Sequence, residues 1–130
     1  MEFERIKILI VDDETALRIG LSHCLKKAGY LTLEAQDGPT ALELVRRQRP
    51  ALVILDVMMR GMTGIEVCRK LRDDEETREI KILFLSARGQ THEQSEGLEA
   101  GGDYYMTKPF EYRKLLKVIE DLLENRKETG

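Results

Sequence analysis

The sequence predicts an α/β fold, a single doubly wound domain in which five parallel strands alternate with five helices. Short aliphatic and β-branched runs alternate with longer segments of helical periodicity, and Gly, Pro and Asp separate them. Such alternation is typical of a parallel sheet. The chain has 130 residues, of which 42% are hydrophobic and only 5% aromatic. These values predict one domain with an aliphatic core.

The strands are the short apolar runs. We expect them at Lys7–Val11, Leu31–Ala35, Ala51–Leu55, Lys81–Leu85 and Asp103–Met106. The first helix places Leu17 and Leu25 on one apolar stripe, and Ile19 lies outside it. Pro39 at a first helical turn marks the second helix. The clearest helix is Glu111–Arg126, whose apolar residues recur at helical spacing opposite a charged face.

Composition excludes several classes of protein. Lys and Arg number 21 and Asp and Glu 24, a net charge of -3, so no overall basic field favours nucleic acid or an anionic membrane. No apolar stretch approaches the roughly 18 residues of a membrane span, and the acidic start lacks the basic region of a signal peptide. Cys24 and Cys68 lack metal-ligand spacing and are interpreted as buried thiols. We therefore expect a cytoplasmic protein.

Two apolar runs end at acids, one at Asp12 and Asp13 and the other at Asp56. Two strand orders are common in doubly wound sheets of this size. If the order is 2-1-3-4-5, strands 1 and 3 are neighbours, and the three acids meet in the crevice at their carboxyl ends. Ser86 and Lys108 follow strands 4 and 5 and would lie on the same rim.

This set of side chains suits capture of a phosphoryl group by a carboxylate. Three adjacent carboxylates repel one another and do not all stay ionised unless a cation lies between them. Mg²⁺ takes oxygen ligands and bridges carboxylate to phosphate. Asp56 could then be both ligand and nucleophile, while Lys108 and Ser86 meet the phosphoryl oxygens. The alternative for the Asp pair is an ordinary turn in which Asp13 caps the first helix.

Several motifs together resemble the receiver domain of two-component response regulators. They are Ile8–Glu14, Leu55–Met59 with Met62 and Gly64, Leu85–Arg88, and Leu98–Gly101 running into Thr107–Phe110. The resemblance runs roughly from Lys7 to Leu123 and implies a CheY-like, flavodoxin-like sheet of order 2-1-3-4-5. We expect a receiver domain at 1–123, and at 124–130 a polar tail or the start of a linker.

The resemblance also implies the role of each site residue. Asp56 would accept a phosphoryl group from the phosphohistidine of a sensor histidine kinase or phosphotransfer protein, assisted by Lys108. Mg²⁺ or Mn²⁺ would be held by Asp12, Asp13, Asp56 and the backbone carbonyl of Met58. The domain would promote only its own phosphorylation and dephosphorylation, so it would be a signalling domain rather than an enzyme.

The resemblance implies that Ser86 and Tyr105 are switch residues. They would change the surface formed by helix 4, strand 5 and helix 5, which a downstream effector would bind; the sequence does not identify that effector. Met58, Ala87 and Arg88 would flank the phosphoryl group, and the peptide bond between Lys108 and Pro109 would be cis. This domain itself is expected to bind neither nucleic acid nor membrane.

Two of the chain's departures from the family pattern bear on function, one in the loop after Asp56 and one across a possible dimer face. Arg60 replaces a usual proline, so the loop after Asp56 gains a positive charge near the metal site. The ionic dimer face of the winged-helix regulators would need opposite charges that are missing here, because its facing pairs are Gln94 with Lys114, Tyr104 with Val118, and Glu99 with Glu120. We therefore do not expect that dimer.

Three alternatives remain open. The chain could be a receiver-like interaction module that is never phosphorylated, although its five site residues are complete. An aspartyl-phosphate phosphohydrolase would need a second acid where Met58 stands. An FMN-binding flavodoxin would need a phosphate loop where Asp12, Asp13 and Glu14 would repel phosphate.

Overall fold

The computed structural model describes residues 5–87 and 91–128, which contain one five-stranded sheet and five helices. The strands are β1 (Lys7–Val11), β2 (Leu31–Ala35), β3 (Leu52–Asp56), β4 (Lys81–Ser86) and β5 (Tyr104–Thr107). The helices are α1 (Thr15–Lys27), α2 (Gly38–Gln48), α3 (Gly64–Asp73), α4 (Thr91–Glu99) and α5 (Tyr112–Glu128). The predicted α/β class is confirmed.

The strand order is β2-β1-β3-β4-β5, and every neighbouring pair is parallel. Val11 pairs with Leu55 across β1 and β3, and Ser86 pairs with Thr107 across β4 and β5. The order implied by the resemblance is therefore confirmed. Because all five strands point the same way, their carboxyl ends form one edge of the sheet, and that edge carries the residues that follow β1, β3, β4 and β5.

The sheet is covered on both faces, which explains why its strands are apolar without alternation. One face of β1 and β3 presents Leu9, Val11, Val53 and Leu55 to a core shared with α2 and α3. The other face presents Ile8, Ile10, Leu52 and Ile54 to a core shared with α1 and α5. No helix within the described part of the chain is both long and apolar enough to cross a membrane.

The observed strand ends differ from the predicted ones by one residue in β3, β4 and β5. Asp56 pairs with Leu85, and Ser86 pairs with Thr107, so both polar residues belong to strands rather than to the loops that follow. The predictions ended these strands early because polar residues were taken as stops. Ladder pairing with neighbours extends the strands and fixes both residues to the rigid sheet.

Candidate functional site

Asp12, Asp13 and Asp56 lie together at the carboxyl edge of the sheet. Asp12 directly follows β1 and Asp56 ends β3, the strand beside it. One carboxylate oxygen from each of the three residues lies within 4.8 Å of the others. Asp12 and Asp56 are only 2% and 6% exposed, while Asp13 is exposed. The crossing of the chain between β1 and β3 thus builds an acidic pocket, open on the side of Asp13.

Asp13 does not cap the first helix, which was the alternative for the Asp pair. The N-cap of α1 is Glu14, and its side chain makes no capping hydrogen bond. The Glu14 backbone N–H instead donates to Asp12 Oδ1 over 2.8 Å. Helix capping therefore does not account for Asp13, and its carboxylate joins the pocket.

Lys108 is the cation that the structure places in this pocket. Its Nζ lies 3.1 Å from Asp12 Oδ2 and 3.8 Å from Asp56 Oδ1. The backbone positions it, because Lys108 N–H donates to the Ser86 carbonyl over 2.6 Å. The bond between Lys108 and Pro109 is cis. One ammonium thus faces three carboxylates, and the pocket keeps an excess of negative charge.

The surroundings of Asp56 raise the pKa of its carboxyl from 3.8 to about 6. Burial is the largest cause, and the neighbouring charge of Asp12 is the second. Lys108 and a backbone hydrogen bond from Met58 lower the pKa but do not cancel these effects. Asp56 is therefore still mostly ionised at neutral pH, at a considerable electrostatic cost.

The pocket fits a hard divalent cation. Three carboxylates within 4.8 Å offer the oxygen ligands that Mg²⁺ and Mn²⁺ prefer. A cation there would also relieve the repulsion that raises the pKa of Asp56. Met58 follows Asp56 by two residues, and its side chain is 63% exposed. Asp12, Asp13 and Asp56 are thus the residues that could hold a metal.

The other residues singled out in the sequence lie around this pocket. Ser86 is 1% exposed at the end of β4, and Ala87 lines a surface groove together with Lys108. Tyr105 is buried on β5, where its ring packs against Phe84 with centroids 6.0 Å apart. Arg88 lies outside the described residues.

Two residues hold the pocket in shape, and the sequence did not predict this role for either of them. Arg18 on α1 donates to the Asp12 carbonyl over 2.7 Å and pairs with Glu34 at 3.1 Å, which ties the end of β1 to α1 and β2. At Gly64 an added Cβ would lie 2.2 Å from the Asp56 carbonyl oxygen. Gly64 belongs to the family motif, but only the fold shows that a larger side chain there would collide with the Asp56 carbonyl. In the sequence, Arg18 is an ordinary charged residue beside Leu17, and nothing local indicates its bond to Asp12.

Comparisons with known proteins agree with this geometry. A model of the response regulator receiver domain matches residues 8–120. Response regulator MprA of Mycobacterium sp. (strain KMS) is 44% identical over 118 residues, which are 91% of this chain and 50% of MprA. Histidine kinase P4 of Formosa agariphila is 40% identical over 125 residues, which are 96% of this chain and 9% of that protein. The chain thus spans half of MprA and a small part of the kinase.

A solved structure agrees as well. Chemotaxis protein CheY4 of Vibrio cholerae superposes with a TM-score of 0.87 at 33% identity, covering 92% of this chain and 99% of CheY4. The match therefore includes the whole sheet and not only the pocket. Because the family model and these relatives cover most of the chain, the protein belongs to the response regulator receiver domain family, the signalling domains of two-component systems.

Proposed function

We propose that Asp56 accepts a phosphoryl group from the phosphohistidine of a sensor histidine kinase or phosphotransfer protein. The observation that carries the proposal is the buried Asp56 carboxylate, next to two further acids and 3.8 Å from Lys108 Nζ. The similarity to a segment of histidine kinase P4 supports a place in a kinase-linked phosphorelay. The domain would then be a phosphorylation-activated signalling receiver.

In the transfer step, a carboxylate oxygen of Asp56 attacks phosphorus. An O–P bond forms, the N–P bond to the donor histidine breaks, and its electron pair stays on the imidazole nitrogen. Asp56 would be the nucleophile, since its buried carboxylate ends β3 at 3.8 Å from Lys108 Nζ, and its pKa of about 6 leaves it mostly ionised at neutral pH. The Lys108 ammonium and the Ser86 hydroxyl would bind the transferred oxygens.

The metal ligands would be the carboxylates of Asp12, Asp13 and Asp56 together with the backbone carbonyl of Met58. Mg²⁺ or Mn²⁺ bound there would supply positive charge that offsets repulsion between the carboxylates and the phosphoryl oxygens. Asp12 and Asp56 are held by the sheet, whereas Asp13 lies at the open side. We expect the exposed Asp13 to be the ligand whose loss weakens the metal site without disturbing the core.

Phosphorylation would act on the surface formed by α4, β5 and α5. Ser86 and Tyr105 are the proposed switch residues, since both lie in neighbouring strands, β4 and β5. Tyr105 packs on Phe84 inside the fold, so a change at Ser86 has a short path to the ring. Ala87, Met58 and Arg88 would flank the phosphoryl group.

The test of phosphorylation is the intact mass of the protein after incubation with acetyl phosphate or phosphoramidate, with and without Mg²⁺. We expect one added phosphoryl group only with Mg²⁺, and none in the Asp56→Asn variant. Addition that persists in Asp56→Asn would place the acceptor elsewhere. If wild type gains nothing from either donor, the non-phosphorylated interaction module becomes the better interpretation.

The donor protein is proposed to dock beside the pocket. Ala16, Leu17 and Gly20 of α1 line a groove of about 650 Å³ with Lys108 and Phe110. Ile19 on the same helix is 56% exposed. An apolar surface next to a phosphoacceptor suits a helix of a kinase or phosphotransfer domain.

Ile19→Asp tests this docking surface. We expect slower transfer from a cognate kinase, with unchanged phosphorylation by acetyl phosphate and an unchanged urea midpoint. Leu31→Asp is the matched control, because Leu31 is 40% exposed at the amino end of β2, at the sheet edge opposite the pocket. Equal slowing in both variants, or none in Ile19→Asp, would remove α1 from the donor interface.

A further inference from the structure

Arg60 stands on the rim of the acidic pocket, in the loop between β3 and α3. It lines one groove of about 620 Å³ with Asp13, Glu14, Gln36 and Asp37. The side chain is exposed, and among the residues that the structure describes none forms a salt bridge with it. The guanidinium can therefore meet an arriving ligand without first breaking an ion pair.

The electrostatics of this groove give that guanidinium two opposite effects. Asp13 belongs both to the groove and to the metal pocket, so a positive charge beside it opposes a divalent cation. The same charge attracts an anion that enters this groove, where Asp13, Glu14 and Asp37 would otherwise repel it. A guanidinium also matches the geometry of phosphate oxygens, which it can bind through two N–H groups at once.

We propose that Arg60 determines the charge preference of the pocket: it favours the approach of highly anionic phosphodonors and weakens the binding of the divalent cation. The inference rests on the proposed phosphoacceptor function of Asp56 and extends it to the choice of donor. Arg60 is a specificity-determining residue in this scheme, since it steers the donor and leaves the bond-making to Asp56. Its charge carries the effect on the cation, and its charge together with its paired N–H donors carries the effect on the anionic donor.

The experiment compares wild type with Arg60→Glu, Arg60→Gln and Arg60→Lys. Two quantities are measured. The first is the dissociation constant of Mg²⁺ from the unphosphorylated protein, determined by calorimetry without any phosphodonor. The second is the ratio of phosphorylation rates with dianionic acetyl phosphate and with singly charged phosphoramidate, at saturating Mg²⁺. Arg46→Glu is the control, because it changes the net charge equally but lies in a different groove, with Lys70 and Asp73.

We expect Arg60→Glu to tighten Mg²⁺ binding and to lower the rate ratio, each by about threefold or more at low ionic strength. Arg60→Gln should change both quantities in the same directions but less, and Arg60→Lys should retain the charge effect on Mg²⁺. High salt should shrink both changes.

Three results would overturn the proposal: no change in either quantity, a change of both in the direction opposite to that expected, or an equal change in Arg46→Glu. A wild-type protein that neither donor phosphorylates would instead overturn the function of Asp56, and the donor preference would fall with it. The Mg²⁺ titration then still decides whether Arg60 opposes the cation. The two failures are therefore distinguishable.

Discussion

Two charged clusters lie at opposite edges of the same sheet and are built in opposite ways. At the amino edge, Arg72 of α3 bonds Asp103 Oδ2 and the Gly101 carbonyl, each at 2.9 Å. Its remaining donors reach the carbonyls of Arg78 at 2.8 Å and Ile80 at 2.6 Å. One cation thus meets one anion and three carbonyls, so this pair is neutral and every nitrogen of the guanidinium donates a hydrogen bond.

At the carboxyl edge, three carboxylates lie together, those of Asp12, Asp13 and Asp56, and among the described residues Lys108 is the cation that forms salt bridges with two of them. Burial, and after it the neighbouring charge of Asp12, raises the pKa of Asp56 to about 6. Charge left unbalanced in a partly buried site costs more folding free energy than charge that is paired and hydrogen-bonded. We infer that the charged cluster at the amino edge stabilises the fold. The cluster at the carboxyl edge lowers stability, and in return it can bind a cation and a phosphoryl group.

The largest effect is expected at the amino edge. Arg72→Met should lower the free energy of unfolding by about 3 kcal/mol, because Asp103 loses its counter-charge and several carbonyls lose their donor. Urea unfolding measures the change. Arg69→Met on the same helix is the control: its side chain is 54% exposed and lies 4.0 Å from Glu96. If both variants lose equally little, the idea of a stabilising amino edge is wrong.

Removing a charge from the acidic pocket should raise the free energy of unfolding, whereas removing Arg72 lowers it. Asp56→Asn should raise the free energy of unfolding by about 2 kcal/mol at neutral pH without metal, since the two-unit rise in the pKa of Asp56 is a cost of keeping it ionised. The same variant should accept no phosphoryl group. Stability that falls in Asp56→Asn would show that this carboxylate supports the fold.

The difference in free energy of unfolding between Asp56→Asn and wild type should depend on pH. The pKa of Asp56 is 3.8 before folding and about 6 after it, so between these values the folded state holds more protons. Its contribution to stability is therefore full below about pH 4 and is lost as the pH rises through about 6. The gap between Asp56→Asn and wild type should shrink as the pH falls from 7 to 4. If the difference in stability does not change with pH, the protonation of Asp56 is not its cause.

A bound divalent cation should reduce the loss of folding free energy that the acidic pocket causes. Millimolar Mg²⁺ should raise the free energy of unfolding of wild type by about 1–2 kcal/mol at neutral pH, because it binds the folded pocket and not the unfolded chain. Asp13→Asn should gain less than half as much. NaCl at the same ionic strength is the control for screening, and equal stabilisation by NaCl would speak against a specific site.

The smallest effect is expected where charges are fully exposed. Glu43→Gln removes the partner of Arg47 on α2, a pair at 3.2 Å whose side chains are 69% and 67% exposed. We expect a change below about 0.5 kcal/mol in thermal or urea unfolding, because water screens such pairs. A larger loss would mean that the number of ion pairs, rather than their burial and bonding, sets stability here.

Much of the fold was predictable because its signals are local. Apolar runs bounded by Gly, Pro and Asp marked all five strands, and the periodicity from Tyr112 onward marked α5. The ends of β3 and β4 were less predictable. Asp56 and Ser86 are strand residues because neighbouring strands pair with them, and no local property of an acid or a hydroxyl predicts that pairing.

The candidate site was predictable only as a set of residue types. Acids directly after apolar runs, with Ser86 and Lys108 at later strand ends, indicated which side chains share one edge. Arg18 and Arg72 were not identified as positioning groups, since their role depends on carbonyls brought near them by the fold. A lone arginine in a helical pattern carries no signal of that kind.

Periodicity, motif order and residue type are properties of the chain, and they were enough to predict the class of fold, the family and the chemistry available at the carboxyl edge. The tertiary structure alone decided the strength of the site. The distance from Lys108 to Asp12, the burial of Asp56 and the close approach at Gly64 all join residues far apart in sequence. Electrostatic energy depends on distance and burial in space, so only the folded chain sets the pKa of Asp56.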